Sequence, residues 1–234
     1  MKRIKYILLF IISTSTFCSA QNVLLEKNVP DNFGQEITWN YLKNYSHFFL
    51  GYEIFPGGFK KDRLEINYGY SYSLILGFRY RRLINYRNAV GLGLNIERKT
   101  YYLKQNDSKV FPDNIMHESE VFTITEMLVD LYDRLLFGDY KKIRGKYLDL
   151  GFYGGLIYST KHITKDKNND LTVKTINTDI EYTNNLNYGL KIRLGFRRQV
   201  ISLSYRLSDY FKEKYDFPEF SRFSFGLQMV FDYQ

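Results

Sequence analysis

Phe223-Ser224-Phe225-Gly226-Leu227-Gln228-Met229-Val230-Phe231-Asp232-Tyr233 alternates with a period of two. Phe223, Phe225, Leu227, Met229, Phe231 and Tyr233 share one face. Ser224, Gly226, Gln228 and Asp232 share the other, with Val230 its only apolar member. Successive strand side chains point to opposite sides, so the stretch predicts a β-strand with one face in an apolar medium. The same period runs through 64–80, where Leu64, Ile66, Tyr68, Tyr70, Tyr72, Leu74, Leu76, Phe78 and Tyr80 oppose mostly polar residues and Ile75 is the exception. It recurs over 89–103, 147–159, 182–197 and 201–208, and more weakly over 47–55. In 182–197 Tyr182 heads the apolar set. In 147–159 Ser159 closes the polar one. Residues 119–135 open with β-branched residues and read as a strand, although 127–136 also fits a helix. The count is eight, and an even number lets an antiparallel sheet close with both ends of the chain on one side.

The connections differ in length. Those around 85–88, 138–145 and 197–198 are short, and 56–62 is of middling length. Those around 105–117, 162–179 and 210–220 are long and rich in Asn, Asp and Lys. Short turns on one side and long loops on the other are the asymmetry of outer-membrane barrels. Mean hydropathy is −0.36, too polar for a bundle of membrane helices. The 22 Tyr and 19 Phe suit aromatic belts at two membrane interfaces. A lipocalin-like soluble barrel also has eight strands, with the apolar face inward. Glycine, serine and charges of both signs on the polar face favour the membrane alternative, as does the absence of a Gly-x-Trp start.

The N-terminus reads as a cleaved signal peptide over 1–20. Lys2, Arg3 and Lys5 precede an apolar run from Ile7 to Ile12, and Cys18-Ser19-Ala20 stands before Gln21. Phe17 is too large for a lipobox. Cleavage would remove the only Cys, and with it thiol chemistry. The formal charge of +8 would fall to +5. The basic residues are dispersed and the chain is read as exported, so anionic lipid is expected as a partner and nucleic acid is not. Residues 21–45 read as a periplasmic arm, and 46–234 as an eight-stranded antiparallel up-and-down transmembrane β-barrel.

Together with the leader ending before Gln21, three features resemble the small outer-membrane barrels of Bacteroidota, the PorT-like and OmpA-barrel-like group. These are Gly77-Phe-Arg-Tyr-Arg-Arg82, Gly195-Phe-Arg-Arg198 and the alternating terminus. The resemblance is to a pattern rather than to a motif. It implies an outer-membrane location, lipid and lipopolysaccharide contacts, passage through the barrel-assembly machinery and envelope protein partners, with secretion among the roles. The chain ends Tyr233-Gln234 where the family often ends on an aromatic residue.

Alternation places Glu53, Arg79, Glu97, Glu126, Asp130, Asp149, Lys191, Arg193 and Arg206 inward as a charged network. The acids of 89–103 and 119–135 are expected to face the bases of 64–80, 182–197 and 201–208, plugging the lumen. Phe225, Leu227, Met229, Phe231 and Tyr233 form the assembly strand. His117 and His162, flanking long loops near Asp113, Glu118, Ser119 and Ser159, are the candidates for hydrolytic chemistry. The plainer reading, that they are polar loop residues, is favoured, because no nucleophile elbow accompanies them. The Lys141, Lys142, Arg144 and Lys146 cluster reads as a solvated turn. No cofactor or metal site is expected from the spacing.

Overall fold

A computed structural model describes residues 43–56, 64–107, 109–137, 145–168 and 171–231. The residues read as a leader (1–20), most of those read as an arm (21–45), the basic residues Lys141, Lys142 and Arg144, and Tyr233 lie outside the described residues. The structure is all-β: β1 (Asn44–Ile54), β2 (Tyr72–Leu83), β3 (Asn88–Tyr102), β4 (Ser119–Phe137), β5 (Lys146–Asn168), β6 (Leu171–Thr178), β7 (Leu186–Phe196), β8 (Gln199–Arg206) and β9 (Phe223–Phe231).

One antiparallel sheet holds all nine strands, in the order β4-β3-β2-β1-β9-β8-β7-β5-β6, and β4 also pairs with β5. Eight strands therefore form a closed ring. β6 stands outside it, paired to the upper part of β5 alone. Cross-strand partners can be followed round the ring from Asn44 through Arg82, Val90, Asp133, Leu150, Ile192, Leu203 and Phe225. The path returns to β1 at Ile54, ten residues beyond its start. With strands ~4.8 Å apart and a rise of ~3.3 Å per residue, that stagger over eight strands tilts them by about 40°.

The alternation sets which side chains enter the ring. β1 and β7 alternate without a break between exposed and buried, and β9 does so from its second residue. The outward row Met229, Leu50, Leu76, Ile96, Met127, Leu156 and Leu186 runs across seven successive strands, every member exposed. Inward glycines make room for rings on neighbouring strands. A Cβ at Gly195 would fall 2.0 Å from Tyr147 Cζ, and one at Gly91 would fall 2.2 Å from Tyr132 Cζ.

Four expectations change. Residues 162–179 are not a loop, because β5 runs on to Asn168 and returns as β6. Strand β2 begins only at Tyr72. Leu64 and Ile66 are buried, and Ile66 bridges to Leu103. Tyr182 precedes β7 and packs against interior aromatics. Finally, a bulge opposite Thr125/Glu126 leaves Tyr158 without a partner on β4. Beyond it Thr160 and His162, not Ser159, face in.

Candidate functional site

Within the ring, all nine residues of the sequence-derived charged network are buried. Near the end that carries the short turns, Asp149 accepts from Arg134 through Nε (2.6 Å) and Nη2 (2.9 Å). Arg193 Nε lies 3.2 Å from Asp149, and Arg193 Nη1 donates to Asp130 at 2.7 Å. The Arg134 and Arg193 guanidinium groups also lie over the rings of Tyr147 and Tyr132, 3.5 and 4.6 Å from the centroids. Nearer the loop end, Lys99 pairs with Glu126 and lies 3.6 Å from Glu97. Asn187 donates to Glu126 at 2.6 Å, and Lys191 lies 3.8 Å from Glu97.

Three members depart from acid–base pairing across the strands. Glu53 accepts from Ser202 and Ser224, at 2.9 and 2.6 Å. Arg79 donates to Gln228 and lies 3.7 Å from the centroid of the Phe49 ring. Arg206 finds Glu219, in the loop after β8, at 2.8 Å. Lys99 and Arg134 were missing from the sequence-derived set, although parity places them on the faces of Glu97 and Asp130. The cavity among Glu97, Lys99, Lys191, Arg206 and Tyr210 holds only about 10 Å³, room for one water.

Above this network an aromatic cluster fills the loop end. Phe55, Ile66, Tyr101, Phe111, Phe122, Tyr210, Phe211 and Phe220 are buried together, with Tyr182 and Phe217 packed against them. Tyr101 stacks on Phe220 at 4.0 Å and 6°. Phe111 meets Phe217 edge-on at 5.0 Å. Burial, then the charges of Glu120 and Asp113, push the Tyr182 phenol above its ordinary pKa.

The two candidate histidines sit at this end, with partners other than the sequence neighbours. His117 Nδ1 lies 2.9 Å from both carboxylate oxygens of Asp166, not beside Asp113 or Glu118. His162 Nε2 lies 2.7 Å from Glu120 Oε1, while Lys109 and Gln105 hold Oε2, each at 2.7 Å. The His117 amide donates to Gln105, so Glu120 ties together both loop ends and β5. Among the described residues no hydroxyl is bonded to either imidazole, Ser119 and Ser159 included, and no group of three metal-ligating side chains is present. An open cleft of about 690 Å³ lies beside β7, lined by Asn184, Tyr188, Asp209, Lys212, Phe217 and Glu219 among others.

Glu120 projects past the exposed apolar row. Burial acts to raise its pKa, but hydrogen bonds from His162, Lys109 and Gln105 outweigh burial and hold it below the ordinary value of 4.5. A carboxyl more acidic folded than unfolded contributes stability above pH 4.5, and that contribution is lost as pH falls through the depressed value. Amide protection over 109–118, corrected for intrinsic exchange, should therefore drop as the pH falls below 4.5 and through the depressed value. In Glu120→Gln the protection should be weaker at neutral pH and should lose this dependence. An unchanged acid profile in the variant would remove Glu120 as the tie.

The chain matches no protein-family model and no curated protein sequence.

Proposed function

We propose that the chain is an outer-membrane β-barrel with a plugged lumen, acting as a structural, accessory or surface-binding component of the envelope. The observation that carries this reading is the exposed apolar belt around a charged, ion-paired interior. Soluble monomers rarely expose continuous apolar patches beyond a few hundred Å². A soluble ligand-binding barrel has the reverse arrangement, apolar within and polar without. On β7 the outward apolar side chains run from Leu186 to Phe196. Ten steps at ~3.3 Å, tilted about 40°, span ~25 Å, the height of the apolar band of such barrels. The long loops and the β5–β6 hairpin then stand on one side of the bilayer and the short turns on the other. Secretion-related service, implied by the family resemblance, is one accessory role within this reading.

A hydrolytic role gains no support from the histidines. Both oxygens of Glu120 are engaged in joining loops, and among the described residues no nucleophile rests on His162.

Two measurements test the proposal. The mature protein should require detergent or lipid to remain monomeric, and should migrate differently in electrophoresis before and after boiling. Recovery as a stable monomer without detergent would sink the membrane reading. In a planar bilayer the wild-type monomer should give no steady conductance, because ion pairs and the aromatic cluster fill the path. Reproducible long-lived steps would overturn the plug and make transport the leading function.

A further inference from the structure

Past the apolar belt, β4, β5 and β6 continue together as a three-stranded blade at the loop end. Along β4, Met127 and Ser119, the partners of Leu156 and Lys165, are eight residues apart. At ~3.3 Å per residue and a tilt of about 40°, the Ser119–Lys165–Lys174 row lies ~20 Å beyond Leu156, past a headgroup layer about 5–8 Å deep. β6 is exposed along its whole length and stands in water.

One edge of β6 is unused. It is the last strand of the sheet and pairs with β5 alone. In an antiparallel ladder alternate residues turn both backbone groups to the same neighbour. The Asp179 amide donates to the Thr160 carbonyl in continuation of the β5–β6 register, so the odd-numbered residues of β6 bond to β5. Thr172, Lys174, Ile176 and Thr178 therefore turn their N–H and C=O groups to the free edge. Among the described residues no backbone group meets them there. Proteins ordinarily blunt such an edge with proline, a bulge, a covering loop or charge. Here Thr172, Val173, Thr175, Ile176 and Thr178 are β-branched, and Lys174 is the only charge in the strand.

That charge selects the occupant. Lys161, Lys165, Lys167 and Lys174 are exposed on the outward face of the blade, and among the described residues of its three strands no Asp or Glu shares that face. Lys165 and Lys174 are direct cross-strand partners, and like charges placed so destabilise a sheet. A carboxylate across from Lys174 on an added strand offsets that repulsion. A second copy in the same membrane does not fit. Antiparallel pairing of β6 with itself needs a two-fold axis perpendicular to the sheet. Such an axis lies in the plane of the bilayer and inverts the other barrel. The ring strands already have two neighbours each.

We infer that the free edge of β6 takes an extended segment of a different protein as an added strand, with an acidic residue opposite Lys174 and a β-branched one opposite Ile176. This rests on the membrane reading above, which removes the second copy.

The test uses mature protein in neutral detergent. The probes are two blocked octapeptides of threonine and valine, one carrying two glutamates and the other two lysines in their place. Fluorescence anisotropy should show the glutamate peptide bound in preference. Amide exchange should show where. The amides of Thr172, Lys174, Ile176 and Thr178 should exchange freely in the unbound protein and gain protection with the peptide, while those of Val173, Thr175 and Asn177 are protected throughout. Ile176→Pro removes a donor from the free edge and none from the β5 ladder, and should weaken binding roughly tenfold. Lys174→Glu should weaken the glutamate peptide about fivefold and favour the lysine peptide. Lys214→Glu, the same charge change elsewhere on the loop side, should alter neither. Protection kept at Val173 and Asn177 verifies the hairpin in each variant, and Lys174→Glu decides alone if the proline melts it. No glutamate preference in wild type, or binding that leaves the even-numbered amides unprotected, overturns the inference. A concentration-dependent dimer abolished by Ile176→Pro would make a second copy the occupant and overturn the partner. Failure here by a detergent-dependent, heat-modifiable protein leaves the membrane reading intact, whereas a detergent-free monomer removes both.

Discussion

Asp149→Ala should cost about 3–5 kcal/mol, enough to remove most assembled protein, because it strands two buried cations. Arg134 loses both of its carboxylate bonds. Arg193 keeps only Asp130, and Arg79 already lacks a carboxylate partner. The measurement is urea unfolding in lipid vesicles, read by the fraction of heat-modifiable protein. Asp133→Ala, an exposed acid on the opposite face of β4, serves as comparison and should fall within about 0.5 kcal/mol of wild type. Equal losses at Asp149 and Asp133 would mean that the interior is wet enough to screen its charges. Arg134→Met/Asp149→Leu should be less damaging than Asp149→Ala alone, since an apolar pair leaves fewer unpaired charges.

Leu76→Arg is expected to cost about 2–4 kcal/mol, the penalty for a cation near the midplane of a membrane barrel's outer wall. Leu76 is 59% exposed, stands between Leu50 and Ile96, and lies midway between Tyr72 and Tyr80 on β2. Thr125→Arg, beside Arg98 at the margin of the belt, should cost about 0–1 kcal/mol. In water neither change would matter much, so the difference between them reports lipid at Leu76. Gln228 is no control for this experiment despite its polarity: it is buried and accepts from Arg79, so Gln228→Arg would crowd two cations.

Parity alone was enough to sort β1, β7 and β9 into faces and to place Asp149, Arg193 and Glu126 inside, because a single residue step reverses the side of the sheet. It could not name partners. The ten-residue stagger decides which inward charges meet, and no local pattern encodes it. Arg206 was matched to the acids of 89–103 and 119–135, yet it found Glu219 in a loop. The β5–β6 hairpin escaped notice for a different reason. Both faces of β6 are in water, so Leu171–Thr178 carries no apolar alternation and resembles a loop in composition. Around 64–71 the opposite error arose: alternation persisted through a segment whose Leu64 and Ile66 turn inward. Tyr158 added one residue to β5, and every assignment beyond it changed side. The histidines were visible as residue types, but Glu120 and Asp166 became their partners only through the pairing of β4 with β5.

The ring closes where β1 meets β9, through partners such as Phe48 and Phe231 from opposite ends of the described chain. Every other seam of the ring joins strands that are neighbours in sequence or separated only by β6. Contact order is therefore concentrated in one junction, and folding should be limited by its closure rather than by hairpin formation. Until β9 arrives, β1 and β8 each keep an open edge, capable of pairing with another chain. A folding catalyst acting on this protein would gain most by holding those two edges apart from competitors while the last strand is delivered.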